Sequence, residues 1–518
     1  MESISFSLKR AGSISEVYHA HAHIIQHGIH HDMLVENLLI KVYCKYGAIQ
    51  EVALLFSKKS SQDIVDWTRT IKEFAQFGYG RESLDLYSGM KSLGVIPDRV
   101  TFLTLISACS GLADLSEGIF IHDEIRSCGF TSDVVLGNAL IDMYGKCGSL
   151  DMAKAAFNCM VIKDIVSWNT IIMVLAQHEK IIEALKMFDE MLLCGYTPDR
   201  VTYMNLLDGI TCKTLLHHGS FIHSHIVASG LESEIRVVTA LLSMYAKCSQ
   251  AENAWNAFNR IQDHNLVTWN VLIATFAQAK QTRKAFTLFY QMQQEGLVPD
   301  SSTYVGILEA CASKWILIES SHVHVQIISS SLRNDVILQT SLIHMYGKSG
   351  NVEGAWFVFG SSTIQDRPTW NAMIVVFSQH GKGTEAIQLF DRMNQQGVAP
   401  DEITWMGMLL ACSHSGLVEE GWTFLSLMIN KYGVKPDVEH FNCMVDLLGR
   451  AGCLDEGELL IKRMGCQPNV TTWTALLSAC RTHQNLDLGD IAAMHAYRLE
   501  PRESGTYVLL SDIHVKAR

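Results

Sequence analysis

A chain of 518 residues would ordinarily suggest several globular domains, and its 48% apolar content is ample for burial. The net charge of −12 argues against a general polyanion binder, because strong non-specific affinity needs many phosphate-neutralising Lys and Arg. No apolar run is long enough to span a membrane, and the 14 cysteines include no C-x-x-C pair of the kind that holds metal or works in redox exchange.

The opening MESISFSLKR (1–10) lacks the apolar core of a secretory signal and is too short for a transit peptide. HAHAHIIQHGIHHD (19–32) follows. His19, His23 and His27 are spaced i, i+4, i+8 and could face one way as metal ligands, but no carboxylate stands in a fixed place beside them. The stretch reads as an exposed terminal repeat.

From there a fixed period governs the chain. Trp67, Trp168, Trp269 and Trp370 are each 101 residues apart, and so are Pro97, Pro198, Pro299 and Pro400, each followed by Asp. Such self-similarity marks a repeat architecture. After an incomplete unit, 1–32, the units are 33–63, 64–98, 99–133, 134–164, 165–199, 200–234, 235–265, 266–300, 301–335, 336–366, 367–401, 402–437 and 438–469. Two further stretches follow, 470–503 and 504–518.

Each unit predicts two helices. In 165–199, Trp168, Ile171, Ile172 and Leu175 form one apolar stripe. Ala184, Leu185, Phe188 and Met191 form a second, which Gly195 and Pro198 close. Neither helix can bury its stripe alone, so successive pairs must stack. Three columns read as packing: the Trp column, Cys109, Cys311, Cys412 and Cys480, and the histidines His21, His122, His223 and His324. The histidine column suggests an interhelix hydrogen bond.

Two-helix units of about 35 residues that end in Pro-Asp and open with V-T-[YW]-N resemble pentatricopeptide repeats. LVTWNVLIATFAQ (266–278) and GLVPD (296–300) carry the resemblance. The alternating lengths resemble the plant-type subclass of P, L and S triplets; YGKCGSLDMAKAAF (144–157) is typical of its short motif and FIHSHIVASG (221–230) of its long one. WTALLSACRTHQNLDLGDIAA (473–493) and LEPRESGTYVLLSDIH (499–514) resemble a first C-terminal extension motif and the start of a second, cut short. The first repeat likewise reads as incomplete.

The resemblance implies an all-α, right-handed superhelical α-solenoid that reads single-stranded RNA at one base per repeat. It implies a site-recognition factor for cytidine-to-uridine editing in a mitochondrion or chloroplast. Relatives often continue into a deaminase-like domain. A zinc deaminase needs H-x-E and a downstream P-C-x-x-C; only His122-Asp123-Glu124 matches the first half. No catalysis, metal or cofactor is therefore expected of this chain, and the deaminase would come from another, engaged through the extension. The alternatives are a factor for transcript cleavage, splicing or stability, and a protein-binding scaffold.

In the family the fifth residue and the last residue of a repeat form the reading pair. Here the pairs are Asn37–Asp63, Asn138–Asp164, Asn169–Asp199, Asn270–Asp300 and Asn371–Asp401, implying uridine. Thr68–Asp98 and Thr340–Asp366 imply guanine, Thr239–Asn265 adenine and Asn442–Asn469 a pyrimidine, cytosine preferred. The long repeats carry Leu103, Met204, Val305 and Met406 at the fifth position and read as spacers. The competing account of Asn or Thr near a helix start is capping. The thirteenth column of the short repeats, Lys45, Lys146, Lys247, Lys348 and Arg450, could meet phosphates. The second column, Val65, Val135, Val166 and Val267, is a wedge between bases in the family.

Overall fold

A computed structural model describes residues 12–28, 33–57, 63–261, 264–312, 317–362, 365–501 and 504–516. Among them every regular element is helical. The helices come as antiparallel hairpins, such as Ile165–Gln177 with Ile181–Leu193. All eight apolar residues that the periodicity assigns to this hairpin are buried. Gly195 ends it at φ 82°, and the Tyr196 N–H reaches back 3.1 Å to the Met191 carbonyl, closing the last turn.

The chain divides into two compact units, 1–248 and 249–518. In the first, the leading helices of successive hairpins pack on one another in a row: Met33–Lys45, Ile64–Gln76, Arg99–Leu112, Val134–Lys146, Ile165–Gln177, Arg200–Asp208 and Ile235–Lys247. In the second the row runs Leu266–Gln278, Ser301–Ala312, Val336–Lys348, Arg367–Gln379, Glu402–Ser415, Val438–Arg450, Val470–His483 and Ser504–Lys516. Trailing helices lean on these rows. Each unit is thus a solenoid whose hairpins complete one another's core.

The recurring columns have physical roles. Trp168, Trp269 and Trp370 are buried and meet Phe157, Phe258 and Phe359 edge to face at 4.8, 4.7 and 4.9 Å. Cys109, Cys311, Cys412 and Cys480 are buried too. Burial pushes the Cys109 and Cys412 thiols up to about 12 and those of Cys311 and Cys480 to about 11, so they stay protonated.

Each histidine of the 101-residue series bonds a tyrosine of the next leading helix through Nδ1: His21 to Tyr43 at 2.8 Å, His122 to Tyr144 at 2.8 Å, His223 to Tyr245 at 2.7 Å and His324 to Tyr346 at 2.8 Å. Burial holds His122 and His324 below their ordinary value of 6.5; Arg126 adds to this at His122, and Asp123 opposes it. A histidine lowered on folding takes up its proton more readily in the unfolded chain. Its contribution is therefore complete above about pH 6.5 and declines as the pH falls below that value. The melting midpoint is expected to drop between pH 7.5 and 5.5, and the double substitution His122→Gln, His324→Gln to flatten that slope. An unchanged slope in the variant would remove these two histidines from the explanation.

Candidate RNA-reading edge

In the repeats whose ends are described, the last residue precedes the next leading helix as its N-cap. Asp63, Asp98, Asp164, Asp199, Asn265, Asp366, Asp401 and Asn469 all accept a backbone N–H from the third residue of that helix. Asp300 does the same for Thr303, at 2.8 Å. Capping thus belongs to the last residue. The fifth residue lies beyond the cap, inside the helix; Asn169, Asn371 and Asn442 are 7, 5 and 6% exposed, while Asn37, Asn138, Thr239, Asn270 and Thr340 are half-buried.

In five asparagine pairs the two members sit side by side although 26 to 30 residues separate them. The Asn169 Nδ2 donates to Asp199 Oδ1 at 3.0 Å, Asn270 to Asp300 at 2.9 Å and Asn371 to Asp401 at 2.9 Å. Asn138 reaches Asp164 at 3.4 Å, and Asn442 reaches Asn469 at 3.4 Å. Glu439 receives weak contacts at 3.4 Å from both Asn442 and Asn469. In the remaining repeat of this kind, Asp63 caps its helix and the Asn37 Nδ2 is buried without a partner among the described residues.

The threonine pairs differ. Thr340 donates to the Val336 carbonyl of its own helix at 2.8 Å, and Thr239 to that of Ile235 at 2.7 Å. Thr68 shares a 2.6 Å hydrogen bond with Thr101, which itself donates to Asp98 at 2.7 Å. Thr239 lies in the first compact unit and Asn265 in the second.

Burial would raise the carboxyls of Asp199, Asp300 and Asp401. The N–H of the capped helix, the threonine hydroxyl and the paired asparagine amide outweigh it and hold all three below the usual carboxylate value. Asp164 is lowered in the same way, by Ser167 and Asn138. These groups are hydrogen-bond acceptors at neutral pH.

A participant that the sequence reading left out is the third residue of the following repeat. The Thr202 hydroxyl oxygen accepts the Asp199 N–H at 3.1 Å, and its one proton is shared between Asn169 Oδ1 at 2.6 Å and Asp199 Oδ1 at 3.0 Å, the shorter contact being to the amide. Thr303, Thr404 and Thr472 donate to Asn270, Asn371 and Asn442 at the same 2.6 Å. The V-T-[YW] motif contains this threonine, but its partner lies 33 residues earlier in the chain for Thr202, Thr303 and Thr404, and 30 for Thr472.

The flanking groups are mixed. Val65, Val135, Val166 and Val267 stand exposed beside the pairs. Lys45, Lys146, Lys247, Lys348 and Arg450 are exposed at the C-terminal ends of the short repeats' leading helices. Two of these five are partly neutralised: Lys146 bonds Asp142 at 2.8 Å and Arg450 bonds Asp446 at 2.8 Å. The long-repeat residues Leu103, Met204, Val305 and Met406 are half-buried.

The two fragments of catalytic or metal chemistry are otherwise engaged. His122 bonds Tyr144, while Glu124 takes Lys91 at 2.5 Å and the Tyr87 hydroxyl at 3.1 Å. His23 and His27 stack on each other, and the His27 Nδ1 bonds its own helix. No cluster of three or more metal-ligating side chains occurs among the described residues.

Stacked helical hairpins with a polar pair repeated along one edge of the leading helices define a helical-repeat protein. A family model described as the PPR repeat family matches residues 163–212, 264–313 and 365–414, and one described as PPR repeat matches 138–165, 340–361, 403–432 and 439–466. One pentatricopeptide repeat-containing protein of Arabidopsis thaliana is 35% identical over 96% of this chain and 72% of its own length. Another is 32% identical over 97% of this chain and 82% of its own. The chain belongs to the pentatricopeptide repeat family.

It spans 62% and 61% of the length of two further Arabidopsis thaliana relatives, which are 33% and 34% identical to it. The second of these is named as chloroplastic. Among solved structures, the pentatricopeptide repeat protein PPR10 in complex with an 18-nt psaJ RNA element aligns with a TM-score of 0.66 at 19% identity, covering 99% of this chain and 76% of that one. The crystal structure of PPR10 from maize gives 0.60 at 18% identity, covering 93% and 76%.

Proposed function

We propose that the chain is a sequence-specific, single-stranded RNA-binding adaptor for organellar transcripts. It marks sites for C-to-U editing, and a deaminase carried by another chain performs the chemistry. The observation that carries the reading is the hydrogen-bonded pair of fifth and last residues. In Asn169–Asp199 one Nδ2 hydrogen goes to the carboxylate, and the other is left to donate. Asp199 keeps further lone pairs to accept. A donor beside an acceptor complements uracil, whose N3–H is flanked by carbonyls. It mismatches cytosine, whose N3 accepts. A base of the wrong pattern leaves a desolvated group unpaired, at a cost of ~1–3 kcal/mol.

With the N-terminus at the RNA 5′ end, the target is U-G-n-U-U-n-A-U-n-G-U-n-C, where n stands for the long repeats as spacers. The exposed second-column valines supply apolar wedges, and Lys45, Lys247 and Lys348 phosphate contacts, with Lys146 and Arg450 contributing less. The hairpins from 33 to 469 form the P, L and S array of the proposal, and the segments 470–503 and 504–518 the extension through which the deaminase is engaged. PPR10 in complex with RNA supports a nucleic-acid role for this fold, and the relative named as chloroplastic supports an organellar one.

Asn169→Thr is expected to move preference at the fifth base of the target from U to G and leave the other bases unaffected, measured by filter binding on single-base variants. Uniform weakening on every RNA would assign that residue to the scaffold instead. Equal binding of the target and a shuffled RNA across a salt titration would undo the reading as a whole. Organelle transcript sequencing after loss of the protein then separates the roles: one lost C-to-U change for editing, shifted ends or retained introns for processing.

A further inference from the structure

The hydroxyl at the third position of the following repeat differs between pairs, and the reading groups differ with it. Where it is threonine, the amide of the fifth residue is held at both ends. Asn169, Asn270 and Asn371 each accept from a threonine at 2.6 Å and donate to an aspartate at 2.9–3.0 Å. Where it is serine, the latch is missing. Ser167 forms the same capping box with Asp164, its Oγ accepting the Asp164 N–H at 3.2 Å and lying 2.8 Å from Oδ1. It does not reach Asn138, whose Oδ1 is buried without a partner and whose Nδ2 sits 3.4 Å from Asp164.

The Asn138 unit differs in length as well as in this side chain: it has 31 residues, and Thr369, which follows the 31-residue unit 336–366, bonds Asp366 and not Thr340. In the 32-residue unit 438–469, Thr472 reaches Asn442 at 2.6 Å. The side chain adds its own effect: the γ-methyl of threonine restricts χ1, whereas serine turns more freely.

An asparagine amide rotated by half a turn exchanges its donor for its acceptor. An amide tied at Oδ1 by a hydroxyl donor and at Nδ2 by a carboxylate cannot make that exchange without breaking two hydrogen bonds. We propose that the third-position threonine of the following repeat is a positioning residue for base discrimination. It locks the fifth-residue amide with an N–H toward the RNA, so threonine-backed repeats select uridine more sharply than the serine-backed repeat at Asn138. The inference rests on the fifth and last residues reading bases; its own content is that discrimination depends on a residue outside the pair.

The test is a reciprocal exchange in the full chain, Thr202→Ser and Ser167→Thr. Both variants keep a hydroxyl for the capping box, as Ser167 and Thr202 already do, and circular-dichroism melts check that they fold alike. Affinities are measured on four RNAs carrying U or C at the fourth base, opposite Asn138, and at the fifth, opposite Asn169. Thr202→Ser is expected to lower the U-over-C ratio at the fifth base about fivefold, and Ser167→Thr to raise it at the fourth by a similar factor. The ratio at the base not addressed should stay constant, which a purely structural role would not produce.

If wild type prefers U at both bases and neither exchange moves its ratio, the latch is refuted while the pair reading stands. If either exchange shifts affinity equally for U and C, the residue acts on the scaffold and the inference fails. If wild type shows no U preference at either base, the pair reading fails and takes the inference with it.

Discussion

Replacing Asp199 by Asn is expected to leave the protein folded and to convert one position of the target from uridine to cytidine. The carboxylate of Asp199 can only accept, so it suits the N3–H of uracil and repels the N3 of cytosine. An amide there adds a donor without changing the shape. The substitution keeps the helix start intact, because Asn caps as well as Asp. The chain already contains that arrangement: Asn469 accepts the Thr472 N–H at 2.9 Å, the distance at which Asp199 accepts that of Thr202. Losing a hydrogen bond to a charged group costs about 1.5–3 kcal/mol, or roughly ten- to a hundredfold in affinity for U at the fifth base. Titration with U and C oligonucleotides measures it. A variant that melts like wild type but still prefers U as strongly would show that the carboxylate does not read the base.

The second large effect is on stability. Trp370 is fully buried, packs edge to face on Phe359 at 4.9 Å and donates its indole N–H to the Gln365 carbonyl at 3.2 Å. Trp370→Ala should cost about 3–5 kcal/mol, including ~0.5–1.5 kcal/mol from the aromatic pair. Trp370→Phe should recover more than half. Hairpins of a solenoid support only their neighbours, so hydrogen exchange should rise first in Arg367–Gln379 and in Val352–Ser361, which packs against it. A loss below ~1 kcal/mol in urea melts would contradict a core role for the tryptophan column.

Much of this frame is legible in the residues themselves. The 101-residue step exposes the hairpins, and the apolar stripes of 165–199 give helices at Ile165–Gln177 and Ile181–Leu193 because 3.6-residue periodicity leaves few other ways to bury them. The histidine column announces an interhelix bond, although its tyrosine lies 22 residues away and belongs to a different repeat. Long-range partners of this kind are what periodicity inside one repeat does not reveal. The same reason hides the threonine latch: Thr202 reads as one more β-branched residue of a helix start until the previous repeat is laid beside it. Capping was assignable by residue type but attaches to the last residue, since Asp199 and not Asn169 precedes the first helical turn. The pairing of Lys146 with Asp142 and of Arg450 with Asp446 was open to view as i, i+4 spacing and weakens two of the five proposed phosphate contacts.

The shared cap also dictates where such an array can be cut and rejoined. Asp199 ends one repeat in sequence yet starts the next helix in space, and Thr202 grips both it and Asn169. A graft joined after Pro-Asp would bring Asn169 and Asp199 from one parent and Thr202 from the other. A transplant running from the fifth residue of one repeat through the third residue of the next moves the whole hydrogen-bonded group as one piece. For this protein the transferable module is therefore offset from the repeat that its prolines outline.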